Sequence, residues 1–551
     1  MADHPEHPMI EDGIFLGYDK NVPLKNEGLG RLLAYLVSGW VKLPDRKLTI
    51  ACPYWLVKDL QALLLDHGVA SESYQLLRTS EPWWRKIQLR LKEYERNIRP
   101  GVHRIRARLR GESPPAIDST HRTWFERIFL IDPQRLANAK SWQSGLLETL
   151  KLLVFVALIF WLLRVLWPVI LILLVVFVAY RAWRKYRKKN KAELPANAKP
   201  INVKKVLRKQ KRRHKRYVQE VGQLIKQINE QQQVRHWLVP TPFWPEANRI
   251  EHAKSIVCPD LVLQQFPLRF SDPSTEPIYA RILDTLQNAQ KLICYSDAIR
   301  THQLVEGVGL SPEQIDVIGH GRVELGEFLK LGKSVPDQTT QKQIALEFLR
   351  SYQRTSLADN PYWSRFAWDK STYVFYSSQA RGQKNILSLL RAIEILRHRS
   401  NIPIRLVLTC ERSAGSDLDL FITDHRLDAW VLFAPGVSNQ VLASLYCWAS
   451  LAVNPTLFEG GFPFTFTEAY SVGTPSLLSD IPMVREKIVE SNLKDRMVFD
   501  PLDPQDLANK ILWGVEHREE LIDAQQGLFD GIPKWEMVAK CYSDSLRRLS
   551  K

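Results

Sequence analysis

Two glutamates, Glu459 and Glu468, stand on either side of a glycine-bearing loop in FEGGFPFTFTEAYSVGTPSLLSDIP, residues 458–482. Carboxylates and backbone N–H groups presented together in this way can hold the hydroxyls and the anionic part of a sugar nucleotide. The preceding run, residues 451–457 (LAVNPTL), is apolar and strand-like. Glu459, Gly460, Gly461 and Phe462 therefore fall where a buried parallel strand ends, the edge at which open α/β sheets bind ligands. Thr465 to Glu468 reads as a capping box, with Thr465 at the N-cap and Glu468 at N3. It predicts a helix to about Val472, closed by Gly473-Thr474-Pro475. The positive end of such a helix favours an anion by roughly 0.3–1 kcal/mol.

A second group lies upstream. Residues 371–378 (STYVFYSS) read as a strand, and 385–399 as an amphipathic helix with Ile386, Leu389, Leu390, Ile393 and Leu396 on one face. The turn between them carries Arg381 and Lys384, which can point at one anion such as a diphosphate. Taken alone, an R-x-x-K turn is equally a solvated loop. Residues 403–410 and 429–435 add strands and 438–448 a helix, a rhythm that predicts an α/β fold with a parallel sheet covered on both faces. Asp480, Asp500 and Asp503 fit turn caps better than chemistry.

These segments resemble the donor-binding motifs of the retaining GT-B glycosyltransferases, family 4 (glycosyl transferases group 1). The resemblance implies a GT-B fold of two Rossmann-like lobes with parallel sheets, a nucleoside-diphosphate sugar as donor substrate, and no other cofactor. It puts Glu459 on the donor sugar, Arg381 and Lys384 on the diphosphate, Glu468 on the ribose hydroxyls, and Gly436 and Val437 by the nucleobase. For Glu468, closing the capping box and binding the donor can coexist. The family places seven residues between its glutamates where this chain has eight, which shifts Glu459 from the pattern. In VCPDLVLQQFP, residues 257–267, Pro259 stands where the family commonly has a histidine, while Asp260 is kept. Asp260 is either an acceptor-side group or a buried turn cap. At the N-terminus a strand at 14–19 leads to Gly28, Gly30 and Arg31 and then an apolar helix to about Trp40. The family has a glycine-rich loop facing the donor here; a simple tight turn is the plainer reading. His320, at the expected link between lobes, either lines the cleft or sits in a turn. No D-x-D pair stands at a strand end, so a metal-independent enzyme is expected.

The 551 residues fit two lobes and one insertion. The expected divisions are 1–80 and 236–325 for the N-terminal lobe, 81–235 for the insertion, and 326–370 for a linker. Residues 371–530 form the nucleotide-sugar lobe and 531–551 a C-terminal helix. The six cysteines are scattered through apolar segments without a C-x-x-C pair, which suits reduced core residues in the cytosol. The opening MADHPEHPMIEDG has neither a basic nor an apolar leader region, so no secretory signal is expected.

Net charge is +17, but residues 81–110 carry +7 and 181–217 carry +16, leaving the rest of the chain at −6. Both windows flank the apolar run 152–180. Its 29 residues would span about 44 Å as a helix, against about 30 Å of hydrocarbon. Arg164, which costs roughly 2.5–3.5 kcal/mol at a bilayer centre, and Pro168 interrupt it. A single pass would separate strands of one sheet onto opposite sides. The expectation is a re-entrant hairpin anchored by Trp161, Trp167 and neighbouring tryptophans, with basic flanks on anionic lipid at the cytoplasmic face of a bacterial inner membrane. The reading is a membrane-associated hexosyltransferase acting on a lipid-linked glycan or exopolysaccharide acceptor, with retention implied by the family. A catalytically silent membrane scaffold, a GT-B-fold phosphorylase or epimerase, and a nucleic-acid binder are the rivals. The confined charge argues against nucleic acid as a partner.

Overall fold

The computed structural model describes residues 10–81 and 203–548, apart from 21, 23, 25–27, 271–275, 331, 333–335 and 400. The basic window after residue 81 and the apolar run 152–180, with Trp161, Arg164, Trp167 and Pro168, lie outside the described residues. Among the described residues no helix is long and apolar enough to cross a membrane.

Apolar strands build two parallel sheets. The N-terminal lobe contains β1 (Ile10–Phe15), β2 (Arg46–Cys52), β3 (Gln75–Arg78), β4 (His236–Val239), β5 (Ala253–Val257), β6 (Lys291–Cys294) and β7 (Ile315–Val317), in the order β3-β2-β1-β4-β5-β6-β7. The C-terminal lobe contains β8 (Tyr373–Tyr376), β9 (Arg405–Leu408), β10 (Val431–Phe433), β11 (Leu451–Asn454), β12 (Ser476–Ser479) and β13 (Val498–Phe499), in the order β10-β9-β8-β11-β12-β13. Every pairing is parallel. Both lobes are therefore Rossmann-like, as expected from the sequence.

The helices that matter for the site are α1 (Gly28–Trp40), α2 (Val203–Glu230), α3 (Gln338–Ser356), α4 (Ile386–Arg399), α5 (Asn439–Trp448), α6 (Phe464–Tyr470) and α7 (Trp535–Arg547). Helix α4 buries all five apolar residues of its expected face. Ser438 caps α5 by accepting from the Val441 amide at 3.3 Å, and Asp503 caps the helix that follows it, accepting from the Gln505 amide at 2.8 Å.

The α2 helix buries Tyr217, Val221, Leu224, Ile225 and Ile228, one face at helical spacing, against the N-terminal lobe. Its end at Glu230 lies beside the start of β5, where the His252 ring reaches the Ile228 carbonyl at 3.0 Å. Higher up, Glu220 hydrogen-bonds with Thr79, just past the end of β3. The turns at residues 211–216 (KRRHKR) are exposed.

Strand β1 starts four residues before the expected position, because Asp12 lies inside it. This carboxyl is fully buried, and burial pushes its pKa above the ordinary carboxylate range. The Ser543 hydroxyl of α7 donates to it. Arg46 of β2 binds Asp544 at 3.1 Å, and Ser545 donates to Asp316 of β7 at 2.6 Å. The last helix of the chain therefore closes the first lobe. Ser543→Ala removes the donor from a buried carboxyl and should destabilise the protein by about 1–3 kcal/mol, read as a lower denaturant midpoint at unchanged slope.

Candidate active site

In the C-terminal sheet the chain order reverses between β8 and β11. Connections leaving these two strands run to opposite faces and open a crevice at their carboxyl ends. Both loops singled out from the sequence are these connections.

They are bonded to each other. The Gln383 carbonyl accepts from the Leu457 amide at 2.8 Å and from the Thr456 hydroxyl at 3.1 Å. Asn385 holds the left-handed conformation, φ 53°, that turns the chain from Gly382–Lys384 into α4. Its side-chain amide donates to the Pro455 carbonyl at 3.0 Å and the Pro501 carbonyl at 2.7 Å. Those bonds offset a backbone strain of about 1 kcal/mol or more. On this frame Lys384 reaches Glu459, Nζ to Oε1, at 2.5 Å, with both side chains about one-fifth exposed. Arg381 is exposed at the lip of the same turn.

The other lobe closes on the glutamate loop. A Cβ on Gly460 would strike the Pro259 carbonyl, and one on Gly461 would lie 2.8 Å from Tyr295 Cβ and 3.0 Å from His320 Cε1. The Ser296 hydroxyl donates to the Gly460 carbonyl at 3.0 Å. The two glycines thus serve close approach of the N-terminal lobe. Asp260 sits beside them, accepting from the Val262 amide at 3.0 Å. Burial raises its pKa and Glu459 adds to the shift, while that amide, Lys384 and Arg381 oppose it. One polar cluster therefore draws Arg381, Lys384 and Glu459 from one lobe and Asp260 from the other.

Glu468 belongs to a second cluster, and the capping box is not formed. Helix α6 starts at Phe464 with Pro463 at its N-cap, since proline sets the backbone but offers no side-chain acceptor. Thr465 falls inside the first turn, where its hydroxyl oxygen accepts from Asn454 Nδ2 at 3.0 Å. Strand β11 ends at Asn454, three residues early, because the Asn454 side chain binds the Thr456 amide at 3.2 Å and turns the chain. Helix α6 stops at Tyr470 before Gly473, whose φ is 79°. Glu468, 1 % exposed, accepts from the Tyr446 hydroxyl at 3.0 Å and pairs with the Arg31 guanidinium of α1.

The remaining expected residues fall as follows. Gly28 and Gly30 are in the first turn of α1, not in a loop before it; Gly30 packs against the Leu24 backbone and Gly28 is open to solvent. Gly436, φ 66°, and Val437 line a cavity of about 530 Å³ with Tyr352 and Phe348 of α3. Phe462 is buried with its ring edge-on to Phe466 at 5.5 Å. Asp480 pairs with Arg485 at 2.8 Å, and Asp500 accepts from the Leu502 amide at 2.8 Å. Among the described residues no group of three or more His, Cys, Asp or Glu side chains could hold a metal ion. Sequence reasoning passed over Arg31 and Tyr446. Arg31 adjoins the glycine pair, a signal that could have been used, whereas nothing marked Tyr446.

Residues 370–517, which cover the whole crevice, match the family model of glycosyl transferases group 1. The match covers the C-terminal lobe and none of the N-terminal one. No curated protein matches it. Similar solved structures include the sucrose-phosphate synthase of Thermosynechococcus elongatus, 15 % identical over 61 % of this chain and 78 % of that one, with a TM-score of 0.45. A UDP-forming α,α-trehalose-phosphate synthase from Burkholderia xenovorans is 11 % identical, covering 62 % and 80 %, with a TM-score of 0.44. A glycosyltransferase from Rickettsia africae is 14 % identical, covering 65 % and 84 %, with a TM-score of 0.45.

His320 packs the lobes together. Its ring stacks on Phe464 with centroids 4.3 Å apart and Nδ1 faces the Phe462 carbonyl at 3.3 Å. Burial holds its pKa down at about 4, against the pull of that carbonyl. An unfolded chain takes up this proton near the ordinary histidine value, so the stability is present above that value and is lost as pH falls toward 4. Between pH 7 and 5 the loss should be roughly 2 kcal/mol by this linkage. His320→Phe should flatten the pH dependence of the denaturation midpoint; an unchanged slope counts against the assignment.

Proposed function

We propose that the chain moves a hexose-type sugar from a nucleoside diphosphate to a lipid-linked glycan or exopolysaccharide acceptor at the cytoplasmic face of a membrane, with retention. The observation that carries this reading is the Arg381–Lys384 turn held against Glu459 at the strand-order reversal, opposite Asp260 of the other lobe. Arg381 and Lys384 supply positive charge for the departing diphosphate. Glu459 fixes the Lys384 ammonium and faces the sugar. The bond from the anomeric carbon to the diphosphate breaks as the acceptor oxygen bonds to that carbon from the same side, and the acceptor proton passes to the leaving oxygen. Asp260 lies on the lobe from which an acceptor would approach.

The cavity at Gly436 suits the base, because β10 lies two strand spacings, about 10 Å, from β8. Membrane placement is supported by the exposed basic turns at 211–216. The apolar run 152–180 in the same insertion supports it too. Near-surface cations contribute about 1 kcal/mol each toward anionic lipid.

Release of nucleoside diphosphate, screened with UDP- and GDP-sugars, tests the reaction. Lys384→Ala should lower turnover by about 10²–10³-fold while leaving membrane binding intact, and near-normal turnover removes the diphosphate assignment. In flotation with vesicles, binding that resists high salt and yields to detergent is expected for an inserted segment. Complete release by salt leaves only the charged surface.

A further inference from the structure

The donor reading above asks Glu468 to accept from two ribose hydroxyls, yet both of its oxygens already have protein donors: Tyr446 on Oε2 and Arg31 on Oε1. A carboxylate has lone pairs for more than two donors, but at 1 % exposure a newcomer reaches Glu468 only by taking a place. The two protein donors differ in how easily they can yield.

Tyr446 is fully buried, with its ring edge-on to Phe375 at 4.6 Å. Moving it would open the sheet face. Arg31 is 32 % exposed and comes from the opposite lobe, on the first turn of α1. One turn on, Tyr35 of the same helix stacks on Trp535 at 5.7 Å. Resting on the donor reading, we propose that Arg31 is the exchangeable partner of Glu468. It holds this carboxylate across the lobe interface until the donor's ribose hydroxyls replace it. The released guanidinium keeps its charge and turns to the solvent to which it is already one-third exposed. Arg31 is thus a positioning residue that ties donor entry to the seating of the lobes.

The sign of one measurement separates this role from the alternatives. Titration of UDP and GDP by calorimetry, together with the radius of gyration from solution scattering, is applied to the full chain, Arg31→Ala and Arg31→Lys. Because Arg31→Ala removes a competitor, it should bind the preferred nucleotide roughly three- to tenfold more tightly. It should also enlarge the radius measured without nucleotide and lower turnover, and Arg31→Lys should recover part of each change. Weaker or unchanged nucleotide binding by Arg31→Ala overturns the proposal, since it makes Arg31 a direct donor ligand or a bystander. Should the unsubstituted chain bind neither nucleotide, the donor reading fails on its own. Scattering then still decides whether Arg31 seats the lobes, and an unchanged radius overturns that.

Discussion

Close backbone approach at Gly460 and Gly461 is the constraint on which the rest of the site depends. The glutamate loop runs between the carboxyl ends of two sheets, and side chains there would meet Pro259 on one side and Tyr295 and His320 on the other. With no Cβ in the way, the Ser296 hydroxyl reaches the Gly460 carbonyl and the His320 ring reaches the Phe462 carbonyl. The loop that orients Glu459 is therefore shaped by both lobes, although one lobe alone supplies its residues. A substitution in the N-terminal lobe can shift Glu459 through this contact without touching the loop itself.

Charge placement follows from the same geometry. Taking an ion pair out of water costs several kcal/mol before any attraction is counted, so pairs at the crevice are poor devices for stability. Lys384–Glu459 is better understood as fixed polarity, and Arg31–Glu468 as a contact that can be exchanged. The first holds its lysine in one charge state and one direction. Pairs such as Arg485–Asp480, exposed on the surface, lack that constraint and contribute little either way.

Much of this was legible in the sequence because it rests on local periodicity. The apolar stripe of α4, the buried strands around it, the Ser438 cap and the R-x-x-K turn are written within short windows, and the fold class follows from their alternation. The failures share a different cause. The capping box at Thr465 has the right spelling, but Pro463 fixes the helix two residues earlier and Arg31, 437 residues away in sequence, claims Glu468. Strand β1 was placed late because Asp12 looks unfit for a core; its partner Ser543 lies 531 residues downstream. Gly28 and Gly30 suggested a loop, and the contact that puts Gly30 in a helix is a backbone carbonyl that no pattern reveals. Local signals place elements, whereas pairings across the chain decide which polar groups are used for structure and which remain for chemistry.

The closing of the first lobe by α7 imposes an order on biosynthesis. Residues 371–530 are contiguous and can fold as soon as they leave the ribosome. The N-terminal sheet emerges first but is finished last, since the buried Asp12 waits for Ser543 and the outer face of α1 waits for Trp535. Residues 152–180, the most apolar stretch of the sequence, are also synthesised before that point. A truncation that removes Ser543 would therefore undo the part of the protein made earliest.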